Sequence, residues 1–309
     1  MNGGIPTALD TSQPGVTISG IRKKYGDTIA LNDLYLTVPE ESVYLFVGPN
    51  GSGKTTTMNI LLDLVRPDRG TASVFGLDPQ QQGARVRTLV GYMPEQRGFG
   101  YPWLQTGRML AYHAAYYPSW DPAYSAKLVS ALEVDPDKRY GRLSKGEARR
   151  VHFIMTLAHR PPLLLLDEPM DGLDPVIRDL IIEILTEHVA DNPTSVIVAT
   201  HHVEELATLA DVIGVIQQGQ LITECDCDLL RDRAYRYRFH LPENMPEIPS
   251  LADRIIHRTG GNGEVAWTIW GEEREVLQAL GGAGVTVRES SRLRLEETVL
   301  ALLTREAIS

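Results

Sequence analysis

Runs of uninterrupted apolar residues set the reading of this chain. Val43-Tyr44-Leu45-Phe46-Val47 is β-branched and aromatic and stops at Gly48-Pro49. Met58, Leu61, Leu62 and Val65 follow at helical spacing, and Arg66-Pro67 marks the end of that helix. Residues 163–166 and 196–199 are two more continuous apolar runs. A strand that is apolar at every position is buried on both faces, as in a parallel sheet covered by helices. Such strands alternating with helices predict an α/β core.

Between about 97 and 160 helical spacing takes over, with Val151, Ile154, Met155 and Ala158 on one stripe. This predicts a mostly helical insertion in the core. Beyond about 225 the texture changes again. Tyr235, Tyr237, Phe239 and Leu241 alternate with Arg236, Arg238 and His240, which predicts a strand with one wet face. Residues 265–270 and Val285-Thr286-Val287 read as further strands, with helical stretches near 272–280 and 295–304. The expected organisation is a loose Gly- and Pro-containing leader over 1–15, a core domain over 16–225 and a small α+β domain over 226–309.

Composition narrows this little. The 309 residues, 43% hydrophobic and 23% charged, are those of an ordinary globular protein. The formal charge of −10 makes nucleic acid a poor partner, so none is expected. No secretory segment or apolar run near the ~20 residues of a membrane helix is read, so any work at a membrane requires another chain. Cys225 and Cys227, too few for a disulfide framework, fit a reducing cytosol. Their spacing puts both on one face of a strand, and plain cysteines are a better reading than a metal site, because no further soft ligands lie nearby.

The sharpest chemical signal is Gly48-Pro49-Asn50-Gly51-Ser52-Gly53-Lys54-Thr55, between a strand and a helix. Glycines let successive backbone N–H groups curl around phosphates, Lys54 brings a point charge to the outer phosphates, and Thr55 is placed to ligate magnesium. The helix that follows, through Thr56, turns its N-terminus to the same anion. A nucleoside triphosphate is the expected ligand. A second acidic site, Asp167-Glu168-Pro169, ends the strand at 163–166, where ligands bind in open α/β folds. There Asp167 suits the magnesium and Glu168 suits orienting or deprotonating an attacking water.

With these two sites the chain resembles the nucleotide-binding subunit of an ABC (ATP-binding cassette) transporter over roughly residues 16–222. Leu143-Ser144-Lys145-Gly146-Glu147 is similar to the LSGGQ signature of that family, Gln96 in Gly91-Tyr92-Met93-Pro94-Glu95-Gln96 to its Q-loop glutamine, and Leu173-Asp174 to its D-loop. His201, directly after the strand at 196–200, is similar to the switch histidine, with the adjacent His202 read as solvated, and Tyr25 to the aromatic that stacks on adenine. Each residue has an alternative: Ser144 and Glu147 are also spaced as a helix capping box, and Tyr25 as a strand-end tyrosine.

The resemblance implies a P-loop NTPase cassette, with a parallel-sheet core and a helical subdomain at about 97–160, plus the small C-terminal α+β domain. It implies ATP hydrolysis with Glu168, His201 and Gln96 as catalytic groups and with Thr55, Gln96 and Asp167 around the magnesium. It also implies a head-to-tail dimer, homo- or heteromeric, in which Ser144 and Gly146 complete the site of a second cassette, with Asp174 among the nucleotide-binding residues. A separate transmembrane permease would hold the chain at the inner face of the membrane. The sequence departs from the family where Lys145 stands for Gly and Glu147 for Gln, which bears on turnover more than on binding. Leu143-Ser144-Lys145-Gly146 and residues 295–299 resemble exporter-type cassettes. The rival reading is a soluble cassette of DNA repair or translation; a P-loop kinase would lack the signature. Nine aromatics between 92 and 124 (Tyr92, Phe99, Tyr101, Trp103, Tyr112, Tyr116, Tyr117, Trp120, Tyr124) divide between core and partner surface.

Overall fold

The apolar runs become the centre of a covered parallel sheet. The computed structural model describes residues 14–95, 101–240, 248–261 and 263–304. The chain enters through β1 (Pro14–Tyr25) and β2 (Thr28–Pro39), then β3 (Val43–Val47) and α1 (Lys54–Leu61). β4 (Arg69–Val74), α2 (Pro79–Thr88) and β5 (Val90–Met93) follow. The next stretch holds α3 (Thr106–Ala114), α4 (Pro122–Ala131), a single 3-10 turn (Tyr140–Arg142) and α5 (Lys145–Leu157). β6 (Leu163–Asp167), α6 (Pro175–Asp191), β7 (Ser195–Thr200), β8 (Val212–Gln217) and β9 (Gln220–Asp226) return to the sheet. The chain continues as α7 (Cys227–Asp232), β10 (Ala234–His240), α8 (Pro249–Ala252), β11 (Ile255–Gly261), β12 (Glu264–Trp270), α9 (Glu273–Gly282), β13 (Val287–Arg292) and α10 (Leu295–Leu303).

The central sheet runs β5-β6-β7-β3-β8-β9, parallel throughout except for β9, which hairpins back on β8. β3, β6 and β7 are buried at every residue. Alternate side chains serve two cores, as strand geometry demands. Val43, Leu45, Leu164, Leu166, Val196 and Val198 face a cluster with α5, α6 and α10, while Tyr44, Phe46, Leu163, Leu165 and Ile197 face α1 and the antiparallel sheet β2-β1-β4. A third core of Tyr237, Phe239, Trp267, Ile269, Val276 and Leu280 lies between the antiparallel sheet β11-β12-β10-β13 and its helices.

Four expectations shift. β1 already begins at Pro14, so Pro14 and Gly15 belong to a strand and not to the leader. α1 stops at Leu61: Asp63 turns left-handed (φ +55°), and Leu64 and Val65 donate their N–H groups back to Asn59 O at 2.9 and 3.2 Å. Val285 is no strand residue. Its N–H closes the end of α9 on Leu280 O at 3.0 Å after left-handed Gly284, and its side chain joins the third core as the hydrophobic contact of a helix C-terminus. Cys227 leaves the strand to open α7 beneath the Asp226 cap, although both thiols are buried and pushed up to about 12 by that burial.

The aromatic stretch divides. Trp120 and Tyr124 pack partly against the core, whereas Tyr101, Trp103, Tyr112 and Tyr116 are exposed and contact one another, the last two with rings 5.3 Å apart. Phe99 lies outside the described residues. Beneath them His159 is buried against Tyr117, ring centroids 4.0 Å apart, and burial with the neighbouring His113 lowers its pKa to about 4.

A histidine whose folded pKa is depressed stabilises the fold above its ordinary value of 6.5, and this contribution is lost as pH falls from there towards about 4. The cost is on the order of 3 kcal/mol by the free energy of one pKa unit. His159→Phe should therefore lose less stability than the parent chain between pH 7 and 4.5, as read from urea midpoints at the two pH values.

Candidate functional site

A sheet buried on both faces leaves its strand ends as the place where charge meets solvent. Parallel register sets three of these ends side by side, with Val47 of β3 opposite Thr200 of β7 and Asp167 of β6 opposite Ala199. The Gly48–Thr55 loop leaves β3 at that edge. Its tightness requires glycine at two positions. A Cβ on Gly48 would lie 2.3 Å from Ile216 O, and Gly53, at φ +113°, would meet Ala30 O at 2.7 Å. Gly53 caps α1 without a side chain, so the first N–H groups of the helix face the loop with no side-chain acceptor, an arrangement suited to an anion.

Lys54 is buried, donates to Gly48 O at 2.7 Å, and stands 3.6 Å from Glu168 Oε1. One residue on, Thr55 Oγ1 donates to Asp167 Oδ2 at 2.7 Å. Asp167 is wholly buried. Its Oδ1 has no hydrogen-bond partner among the described residues, and burial raises its pKa to about 6 despite the Thr55 hydrogen bond. A buried carboxylate oxygen without a partner, beside a threonine hydroxyl, is a hard oxygen-donor set that fits magnesium.

Glu168 sits at φ +46°, a left-handed conformation that costs a β-carbon residue about 1–3 kcal/mol. That turn carries its carboxylate across the mouth of the sheet. Thr200 Oγ1 donates to Oε2 at 3.0 Å, and His201 Nδ1 lies 2.8 Å from Oε1. Lys54, Thr55, Asp167, Glu168 and His201 are therefore one cluster, drawn from three segments. His202 stacks on His201 with ring centroids 3.9 Å apart, and both are exposed.

The start of α5 is a second group. Ser144 Oγ accepts from Glu147 N at 3.2 Å while Glu147 Oε2 accepts from Ser144 N at 2.8 Å, the capping-box reciprocity expected from the spacing. Lys138 donates to both Glu147 oxygens at 2.7 and 2.9 Å, and this with the Ser144 N–H lowers the Glu147 pKa to about 2. Lys145 Nζ reaches Asp171 at 2.7 Å, and Gly146 is so close to the loop after β6 that a Cβ there would lie 3.2 Å from Gly172 O. Asp174 caps α6 through Ile177 N at 3.1 Å. Tyr25 ends β1 half-exposed, with Lys23 Nζ 5.4 Å from its ring centre. Among the described residues no hydrogen bond joins Ser144, Gly146, Asp174 or Tyr25 to the Lys54–Glu168 cluster. Gln96 lies outside the described residues.

Three participants escape a motif reading. Thr200 is visible only as the last residue before His201. Lys138 is nine positions ahead of the carboxylate it pairs with. Arg149 is fully buried on α5, one turn before buried Phe153, and its place beside Lys145, Glu147 and Arg150 gives no signal of that burial.

Comparison with known proteins follows this geometry. A family model described as ABC transporter matches residues 31–171. The chain is 32% identical over 227 residues to the bacitracin transport ATP-binding protein BcrA of Enterococcus faecalis, covering 72% of each chain. It is 34% identical over 304 residues to the daunorubicin/doxorubicin resistance ATP-binding protein DrrA of Streptomyces peucetius, covering 93% of this chain and 92% of that one. In fold it is similar to a solved ATP-binding subunit of an ABC transporter (TM-score 0.64, 23% identity, 70% of this chain and 91% of that one).

The raised carboxyl has a measurable consequence. With a folded pKa of about 6 against an ordinary 3.8, the ionised Asp167 destabilises the nucleotide-free fold above pH 6, and the penalty fades as pH falls towards 4. Asp167→Asn should raise the unfolding free energy at pH 8, by roughly 3 kcal/mol at most, with little gain at pH 4. Urea unfolding at the two pH values measures it.

Proposed function

We propose that this chain, which belongs to the ABC transporter family as its ATP-binding, ATP-hydrolysing subunit, performs hydrolysis at the Lys54–Glu168 cluster with Glu168 as the base. The observation that carries the assignment is the Glu168 carboxylate, held by Thr200 at 3.0 Å and His201 at 2.8 Å beside Lys54. A carboxylate fixed in this way is oriented to accept a proton from a water aimed at the γ-phosphorus, as the phosphorus–oxygen bond to ADP breaks. Lys54 and the N–H groups of the Gly48–Thr55 loop, with Pro49, Asn50 and Thr56 alongside, hold the phosphates. Thr55 and Asp167 hold magnesium, which when bound neutralises charge on the triphosphate oxygens.

The partners follow from what this site contains and what it leaves outside. The start of α5, with Ser144 and Gly146, and Asp174 form a surface that, among the described residues, no hydrogen bond ties to the chain's own phosphate loop. We assign it to the nucleotide of a second cassette. Among the described residues no helix is long and apolar enough to cross a membrane, and we place the chain at the cytoplasmic face through a separate permease. The exposed Tyr101, Trp103, Tyr112 and Tyr116 supply a surface for that partner. We read residues 226–309 as an accessory unit, a reading supported by the similarity to DrrA, which extends over 93% of this chain. The names of the similar bacitracin and daunorubicin/doxorubicin proteins favour export as the direction of transport over the soluble role in repair or translation.

Glu168→Gln should bind ATP with unchanged affinity, turn over about 100-fold more slowly or worse, and accumulate as an ATP-bound dimer in size-exclusion chromatography. Wild-type turnover in that variant would remove Glu168 from its role. Lys54→Ala should abolish tight ATP binding in calorimetry.

A further inference from the structure

Arg149 is completely buried, and its guanidinium is spread over the carbonyl ends of two strands. Nη2 donates to Asp167 O at 2.7 Å and to Glu168 O, and Nε to Pro169 O at 3.2 Å. Nη1 donates to Pro94 O at 2.8 Å and Glu95 O at 3.2 Å, the residues that follow β5 and lead directly into position 96. The carbonyls of Asp167 and Glu168 belong to the two peptide planes on either side of the Glu168 Cα. Fixing both planes fixes φ and ψ of Glu168, so one planar cation defines the left-handed turn that aims the carboxylate at Thr200 and His201.

We propose that Arg149 is the positioning residue of this site: its guanidinium holds the Glu168 backbone in the reactive turn and couples it to the Pro94–Glu95 segment and the start of α5. The inference rests on the reading of Glu168 as base and adds what keeps that base in place. A guanidinium suits the task because it presents five donors in one rigid plane, whereas lysine keeps the charge but offers a compact head that cannot span five peptide groups. Coupling between segments requires a measured interaction and not mere adjacency. The test is therefore a double-mutant cycle on the full chain.

Single-turnover ATP hydrolysis, ATP affinity and melting temperature are measured for Arg149→Lys, Arg149→Gln, Glu168→Gln and the Arg149→Lys/Glu168→Gln pair. Arg150→Lys serves as a control, since Arg150 donates to Leu132 O at 2.7 Å from the same helix and, among the described residues, makes no hydrogen bond to a strand end. Both Arg149 variants should keep ATP affinity within about threefold while hydrolysing about tenfold or more slowly, with Arg150→Lys within about twofold of the parent. In the pair, Arg149→Lys should not slow the residual rate of Glu168→Gln further, because the two act as one unit. Turnover of Arg149→Lys within about twofold of the parent would overturn the proposal, as would losses that multiply in the pair or an equal loss in Arg150→Lys. Failure of the underlying reading shows elsewhere, as undiminished hydrolysis by the Glu168→Gln single variant.

Discussion

Burial of β3, β6 and β7 on both faces is the constraint from which the site follows. The inner positions of these strands are apolar and admit no charge, so polar groups are confined to the strand ends. Parallel pairing then brings these end points to one edge, which is how Gly48, Asp167 and Thr200, far apart in the chain, come to lie at the ends of three adjacent strands. Asp167 shows the tension of this arrangement. It is the last buried residue of β6, it carries a carboxylate, and its raised pKa records the cost of keeping that charge under the sheet edge.

Glu168 completes the turn by which the chain escapes the sheet. An extended continuation of β6 would point the next side chain along the sheet normal, into one of the two apolar layers. The left-handed backbone at φ +46° instead swings the carboxylate across to Thr200 and His201. Such a turn persists only where the surroundings over-determine it. Here the Arg149 fork, the Glu168 N–H to Ala199 O hydrogen bond at 2.8 Å and the side-chain contacts all act on one residue.

Much of this was legible because the central strands are short, continuous and apolar. The Gly48–Thr55 spacing and Asp167-Glu168 then needed only a strand before them. What escaped reading had a physical reason in each case. β1 and β2 carry polar residues on a half-covered sheet and change register at several irregularities, so their alternation is broken. Val285 is apolar and buried, yet its backbone closes a helix, which periodicity alone does not separate from a strand. Arg149 was hidden because a motif records side chains that face a ligand, whereas this side chain faces backbone carbonyls.

The departures at the start of α5 show how local charge can be contained beside a surface that we propose meets a phosphate. Glu147 would repel a triphosphate if its carboxylate faced outward. Lys138 and the Ser144 N–H instead turn it back onto the cap and neutralise it, and Lys145 in turn is held on Asp171. The two substituted positions thus each bring their own counter-charge. Ser144 keeps both of its uses, because the cap consumes only a lone pair of the hydroxyl oxygen, accepting from Glu147 N, and leaves the O–H proton to donate. A capped helix start and a hydroxyl proton left to donate therefore do not compete for the same atom, and the signature can depart from glycine and glutamine without giving up the groups that we propose meet a phosphate.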